Sequence, residues 1–239
     1  LNNYLALVFA FIFLMNPTIH HLNLEDFHFE TIAIPLFIYS FYFLLNDRYN
    51  LFLIFQILLL SIKEEVALVV LSFGIFTFLY KNRKVGLLVV IMAIISFFSS
   101  FFIFFPMFDV EEYIYNENTF SKYGDDPKDI IRNLINPSNL AKNIFTNANY
   151  QYTLKLFLPL LFLPILAPRV YIFFIMYIIN LLSSWSYAHS INYHYSALII
   201  PSLYLASIFG LSKFKNKIIL ICIPLLLIIS SIIANVYLA

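Results

Sequence analysis

Three short clusters hold nearly all the side chains of this 239-residue chain that could do chemistry in an apolar setting. The first, His20-His21-Leu22-Asn23-Leu24-Glu25-Asp26-Phe27-His28-Phe29-Glu30, sets acids and imidazoles between two apolar stretches. If 26–30 is extended, Asp26, His28 and Glu30 point the same way at period two; if it begins a helix, Asp26 and Glu30 share a face at i, i+4. Either arrangement offers paired carboxylates beside a histidine, able to take a proton from an acceptor hydroxyl or to hold a divalent cation. The second cluster, Lys63-Glu64-Glu65, interrupts apolar sequence running from Leu51 to Tyr80. Three ionisable groups there are costly unless they pair or face a wet interior. Lys63 is expected to neutralise one glutamate and leave the other as base, ligand or partner of a substrate cation. The third cluster ends in Tyr193-His194-Tyr195 at the mouth of an apolar run, where His194 is placed to contact a phosphate or a sugar, while Trp185 and Tyr187 read as interfacial-belt residues. The candidate catalytic residues are therefore Asp26, Glu30, Glu64 and Glu65, and the candidate substrate-binding residues His28, Lys63, Tyr193, His194 and Tyr195. HxxxH and HExxH spacings are absent, so no metal-ligand set is fixed and a divalent cation stays open as cofactor.

These groups stand out because the rest of the chain is so apolar. Hydrophobic residues make up 62% and charged residues 11%, with a mean hydropathy of +0.87; soluble domains carry about 45–50% apolar and about 25% charged residues. A soluble globule is excluded, and the lipid bilayer is the expected partner. The net charge of +1 gives no field for nucleic acid. Gly74, Gly86, Gly124 and Gly210 stand too far apart for a dinucleotide or phosphate-binding loop, and Cys222 alone makes neither a disulfide nor a thiolate zinc site.

Membrane spans of about 20 residues can be cut at the polar punctuation into about nine segments, near 1–19, 31–46, 49–63, 65–80, 85–105, 152–167, 169–184, 195–210 and 218–239. Strict alternation places Arg48, Lys81, Arg83, Lys84, Arg169, Lys213, Lys215 and Lys217 on one side with a single acid, Asp47, which makes that side cytoplasmic. The other side receives six basic and twelve acidic residues and all five histidines. Residues 20–30, 106–151 and 184–194 are thus expected to be extracytoplasmic, and function is expected among their acids. The expected architecture is all-α: one polytopic transmembrane helical bundle over 1–239, with short amphipathic helices in the long outer loop 106–151. Asp126-Pro127-Lys128-Asp129 reads as N-cap, N1 proline and N3 acid, Asn136-Pro137 stops that helix, and Ser138 is positioned to cap a second one carrying Leu140, Ala141, Ile144, Phe145 and Ala148 on one face. Both helices could lie in the headgroup layer or cover a small outer subdomain. Pro159 and Pro164 should bend one span strongly. No internal repeat appears, and no run of small residues marks a tight helix pair. The chain opens on Leu1 with an apolar run and no cationic leader, so it reads as an internal piece of a longer protein.

Six dispersed motifs agree in order with a known family: Asp26-Phe27-His28-Phe29-Glu30, Lys63-Glu64-Glu65, Tyr123-Gly124, Leu158-Pro159 through Pro164 with Ala167-Pro168, Asn180-Leu181-Leu182-Ser183, and Tyr193-His194-Tyr195 through Pro201. They resemble the predicted membrane proteins of archaea and bacteria catalogued as domain of unknown function 2079. That family's pattern has proline where Phe29 stands and aspartate where Glu65 stands. The family in turn is similar to the GT-C glycosyltransferases. That resemblance implies a GT-C-like fold and transfer of a sugar from a polyprenyl-phosphate donor at the outer membrane face, with a principal catalytic acid in a first outer loop upstream of Leu1. A transporter or lipid-linked substrate flippase would use the same polar residues as a path, although such proteins often show repeated halves and midplane charges. A non-enzymatic scaffold would tolerate their loss.

Overall fold

Short polar breaks between apolar stretches turn the chain back on itself. The computed structural model describes residues 3–107, 119–124 and 126–238, and regular structure among these is entirely helical. The first helix, α1 (Asn3–Leu14), is followed by α2 (Pro17–Leu24) at a bend of 47°. Asn16 makes the bend by accepting the Thr18 N–H at 2.9 Å, and Pro17 supplies the preset first turn.

Two hairpins follow. The first pairs α3 (Glu30–Leu45) with α4 (Tyr49–Leu60); the second pairs α5 (Val66–Tyr80) with α6 (Arg83–Ser99), which runs on through a π-turn, Ser100–Phe104, into α7 (Phe105–Met107). Reversal within each hairpin brings the start of α3, the end of α4 and the start of α5 to one end. At the other end the two hairpin turns meet: Asp47 accepts hydrogen bonds from Lys81 Nζ at 2.9 Å and from the Tyr49 hydroxyl at 3.0 Å. The hydrogen bond from Lys81, then that from Tyr49, holds the Asp47 carboxyl below the usual range. The charge pattern grouped these basic turns on one side, and here they touch.

Helices α5 and α6 pack backbone against backbone. A methyl group at Gly86 would collide with the Phe78 backbone, and one at Gly74 with Val90. These glycines lie on different helices, which is why no run of small residues announced the contact. Gly86→Leu is expected to force the pair apart at a cost of about 1–3 kcal/mol. A lowered midpoint of thermal unfolding in detergent would show it; an unchanged midpoint would mean that the helices do not approach this closely. The core between α3, α5 and residues 168–174 is aromatic, with Phe37, Phe73 and Phe173 ring centroids 4.8–5.4 Å apart. Buried Gln56 on α4 donates to Ser40 on α3 at 3.0 Å, a polar tie between helices that gain little from apolar contact in lipid.

In the long connection that follows, Asp126 caps α8 (Pro127–Leu134) through the N–H groups of Lys128 and Asp129, as its sequence predicts. The next cap differs from expectation. Asn136, not Ser138, caps α9 (Pro137–Ile144), accepting the Ser138 N–H at 3.0 Å, so one Asn-Pro pair both ends α8 and starts α9. Because α9 stops at Ile144, Phe145 and Ala148 fall outside it. Residues 108–118 and 125 of the expected outer loop, with 1, 2 and 239 of the first and last expected spans, lie outside the described residues.

Thr146 caps α10 (Asn147–Phe157), where helix ends earlier than the expected span 152–167. Pro159, Pro164 and Pro168 open three 3-10 turns, Leu158–Leu160, Leu163–Leu166 and Pro168–Phe174. Between the first two, Leu161 and Phe162 take φ of 50° and 55°, a left-handed region that such side chains rarely adopt. The prolines therefore break this span instead of bending it. Such irregular backbone is tolerated in a membrane protein where it is buried in protein or lines a water-filled cavity, and Leu160, Leu163, Ala167, Val170 and Phe173 are buried. Three helices complete the chain: α11 (Ile175–Leu182), α12 (Ile200–Leu211) and α13 (Lys217–Leu238).

Lengths revise the expected count of nine full spans. Arg83–Met107, His194–Leu211 and Lys217–Leu238 are long and apolar enough to cross a membrane, and the bent pair α1–α2 makes a fourth if it is one span. By contrast, α3 with 16 residues, α5 with 15 and α4 with 12 extend only about 24, 22 and 18 Å, against a hydrocarbon core of about 30 Å.

Candidate functional site

The hairpin geometry alone decides what Lys63 meets. It lies in the turn between α4 and α5, beside the first residue of α3, and its ammonium donates to Glu30 at 2.6 Å; Glu65 is 3.6 Å away. The sequence suggested a neighbouring glutamate as its partner, whereas the shortest contact reaches back 33 residues. Glu30 begins α3 and Glu65 immediately precedes α5, so both acids sit at helix N-termini, where the macrodipole favours negative charge. Burial by itself would lower the Lys63 pKa. The charge of Glu65, the hydrogen bond to Glu30 and the charges of Glu30 and Glu64 outweigh it and raise the pKa, so the lysine stays protonated.

Next to this pair, His194 from the segment before α12 meets the loop between α2 and α3. Glu25 closes α2, its N–H bonded to the His21 carbonyl at 2.9 Å. Its Oε1 lies 3.2 Å from His194 Nδ1 and 3.7 Å from His28 Nε2. The two imidazoles stack with centroids 3.6 Å apart and planes 19° from parallel, and Tyr195 packs 4.2 Å from His194. The other carboxylate oxygen of Glu25, Oε2, is buried with no partner among the described residues. One ligand atom from each of Glu25, His28 and His194 lies within 4.8 Å of the others, and this is the set that could hold a cation. The Glu30 charge acts on His194, while Lys63, Glu65, Glu30 and Glu25 all act on Tyr195. The three sequence clusters thus form one polar site at the end of the bundle where α3 and α5 begin.

Buried amides and hydroxyls fix the third cluster. Asn180 on α11 donates to the Tyr152 hydroxyl at 3.0 Å and to the Tyr195 carbonyl at 3.1 Å, and Tyr152 bonds Ser196 at 2.9 Å. Asn180→Leu leaves the Tyr195 carbonyl without this donor, with an expected cost of about 1–3 kcal/mol measurable by thermal unfolding; a neutral result would show that Asn180 does not hold this turn. A cavity of about 30 Å³ lies beside these groups, lined by Glu65, Thr119, Asn180, Ser183, Trp185 and Tyr195 among others, with room for a water molecule. Residues 119–122 are tied here as well: Ser184 N–H donates to the Thr119 carbonyl at 2.6 Å and Lys122 Nζ to the Ser183 carbonyl at 2.8 Å.

Not every expected residue joins. Asp26 is exposed whereas Glu30 is buried, and only Glu30 belongs to α3, so the two do not share a helix face. Glu64 is half-buried and acts on Lys63 through its charge. Tyr193 packs edge-on against Tyr187 at 4.7 Å. Of the other histidines, His20 and His21 bond the end of α1 and the end of α13, at 2.8 Å to Leu14 O and 2.7 Å to Leu238 O. His189 is held toward its neutral form by burial. Sequence reasoning did not single out Glu25, which resembles Asp26 until the end of α2 is known, nor Asn180 as a support or Thr119 as a cavity wall.

A family model with the description predicted membrane protein (DUF2079) matches residues 1–239. No curated protein and no solved structure matches the chain.

Proposed function

The chain belongs to the DUF2079 family of predicted membrane proteins, and from that premise we propose that it is a glycosyltransferase acting on a polyprenyl-phosphate-linked sugar at the outer membrane face. The observation that carries this reading is the meeting of Glu65, Lys63, Glu30, His194 and Tyr195 at one end of an apolar bundle. Glu65 lines the cavity and is farther from Lys63 than Glu30 is, which suits it to act as general base. It takes the proton of the acceptor hydroxyl as the acceptor oxygen bonds to the sugar's anomeric carbon. The bond from that carbon to the phosphate oxygen breaks, and the phosphate leaves with the electron pair. Lys63, with His28 and His194, stabilises the charge developing there, Tyr193 and Tyr195 offer ring faces to the sugar, and Glu64 supplies the acceptor side.

In this reading residues 20–30, 106–151 and 184–194 are extracytoplasmic and the short helices complete about nine crossings of a locally thinned bilayer, in a GT-C-like arrangement. Helices α8 and α9 lie at the interface, where exposed Ile131, Ile135 and Phe145 reach hydrocarbon. An open groove of about 540 Å³ along α1, α3 and α12, lined by Phe9, Phe13, Phe37, Phe41, Tyr204 and Phe209 among others, suits an isoprenoid chain. The clustering of ionisable groups at one end favours transfer over a transport path. The full-length protein in proteoliposomes, given radiolabelled polyprenyl-phosphate hexose and a membrane extract as acceptor source, is expected to move label onto acceptor. Label crossing the bilayer without transfer would establish a flippase instead.

A further inference from the structure

The stacked histidines and their shared carboxylate are arranged for more than a contact to the leaving phosphate. A tetrahedral zinc ion with ligands at about 2.0–2.1 Å sets its donor atoms about 3.3 Å apart. Two edges, 3.2 Å from Glu25 Oε1 to His194 Nδ1, a hydrogen-bond contact, and 3.7 Å to His28 Nε2, come close to that spacing, and the third lies within 4.8 Å. These donors are held from separate elements: Glu25 by the end of α2, His28 by the loop leading into α3, and His194 by the turn that Asn180 and Tyr152 secure. Glu25 Oε2, buried and without a partner among the described residues, provides a further oxygen for the ion or for a water bound to it.

We propose that Glu25, His28 and His194 form a binding site for a divalent transition-metal ion of the zinc class, a two-histidine, one-carboxylate set that leaves a fourth position open. Their side chains are 18%, 33% and 13% exposed, so an ion can enter from the aqueous side, and an open three-ligand site is the form that catalytic zinc takes. In that position the ion would polarise an oxygen of water or of a bound phosphate. The assignment stands on the ligand geometry and is independent of the sugar-transfer reading.

The test is metal binding by the full-length protein purified in detergent and stripped with chelator. Calorimetric titration with Zn²⁺ should show one ion per chain, and Co²⁺ should give the intense visible bands of a tetrahedral site. Glu25→Gln and His28→Gln should each weaken Zn²⁺ binding by more than the about 10–100-fold that loss of a ligand's outer partner costs, while Asp26→Asn, one residue away and exposed, should leave it unchanged. His194→Gln should weaken binding as the Glu25 and His28 variants do; if it does not fold, those two loop variants decide. No stoichiometric binding, or binding kept by both Glu25→Gln and His28→Gln, would overturn the assignment. Zinc binding in a protein that transfers no sugar would leave the metal site standing and remove the transferase reading; transfer by a protein that binds no zinc would do the reverse.

Discussion

Lys63→Met is expected to cost about 3 kcal/mol of stability and to deplete the folded protein from the membrane fraction. Methionine keeps most of the apolar stem and removes the charge. Glu30, whose side chain is 4% exposed, then loses the ammonium 2.6 Å away, and Glu65, 15% exposed, loses the one at 3.6 Å. Breaking a buried ion pair from one side typically costs about 3–5 kcal/mol, because a charge stays buried without its counter-ion. Lys63 is itself 27% exposed, so water relieves part of the penalty and the lower end applies. Total stabilities of about 5–15 kcal/mol make this a large share. The double variant Lys63→Met with Glu30→Met removes both charges and should recover most of the loss, since an apolar pair often matches a buried ionic one. Thermal unfolding of the three proteins in detergent checks this. A single variant as stable as wild type, or a double variant no better than the single, would contradict the burial of the pair.

The sequence shows this pair only in halves. Lys63-Glu64-Glu65 is conspicuous because apolar residues surround it, and Glu30 because it heads an apolar run, yet nothing in spacing joins positions 30 and 63. The α3–α4 hairpin joins them, and its turn, Asn46-Asp47-Arg48, was legible as polar punctuation. His194 and Glu25 lie 169 residues apart, beyond the reach of any short ligand motif, so the absence of HxxxH or HExxH said nothing about them. Glu25 and Asp26 differ only in which one ends α2, a boundary set by the start at Pro17 and by packing of an eight-residue helix. Helix 127–134 was readable because its cap, proline and acid are local. The break at 158–174 was not: prolines signal lost hydrogen bonds, but whether a helix bends or gives way depends on whether tertiary packing can bury the irregular backbone, as it does around Leu160, Val170 and Phe173. The close approach of α5 and α6 at Gly74 and Gly86 is likewise a property of two helices together.

Glu65→Gln is expected to reduce sugar transfer by about 10²–10⁴-fold, the usual contribution of a positioned general base, with little change in the amount of protein in the membrane. Glutamine has nearly the shape of glutamate, and Lys63 keeps its shorter contact with Glu30; what is lost is the capacity to take a proton beside Tyr195 and Asn180. Stability and activity should therefore separate at Glu65 although they fall together at Lys63, and Asp26→Asn, outside the buried cluster, should have a much smaller effect. The decisive measurement is the mass profile of glycolipids and glycoproteins in cells whose only copy of the full-length protein carries Glu65→Gln, at matched membrane levels. A profile like that of cells lacking the protein, with Asp26→Asn close to wild type, is expected. A profile indistinguishable from wild type would contradict sugar transfer at this site.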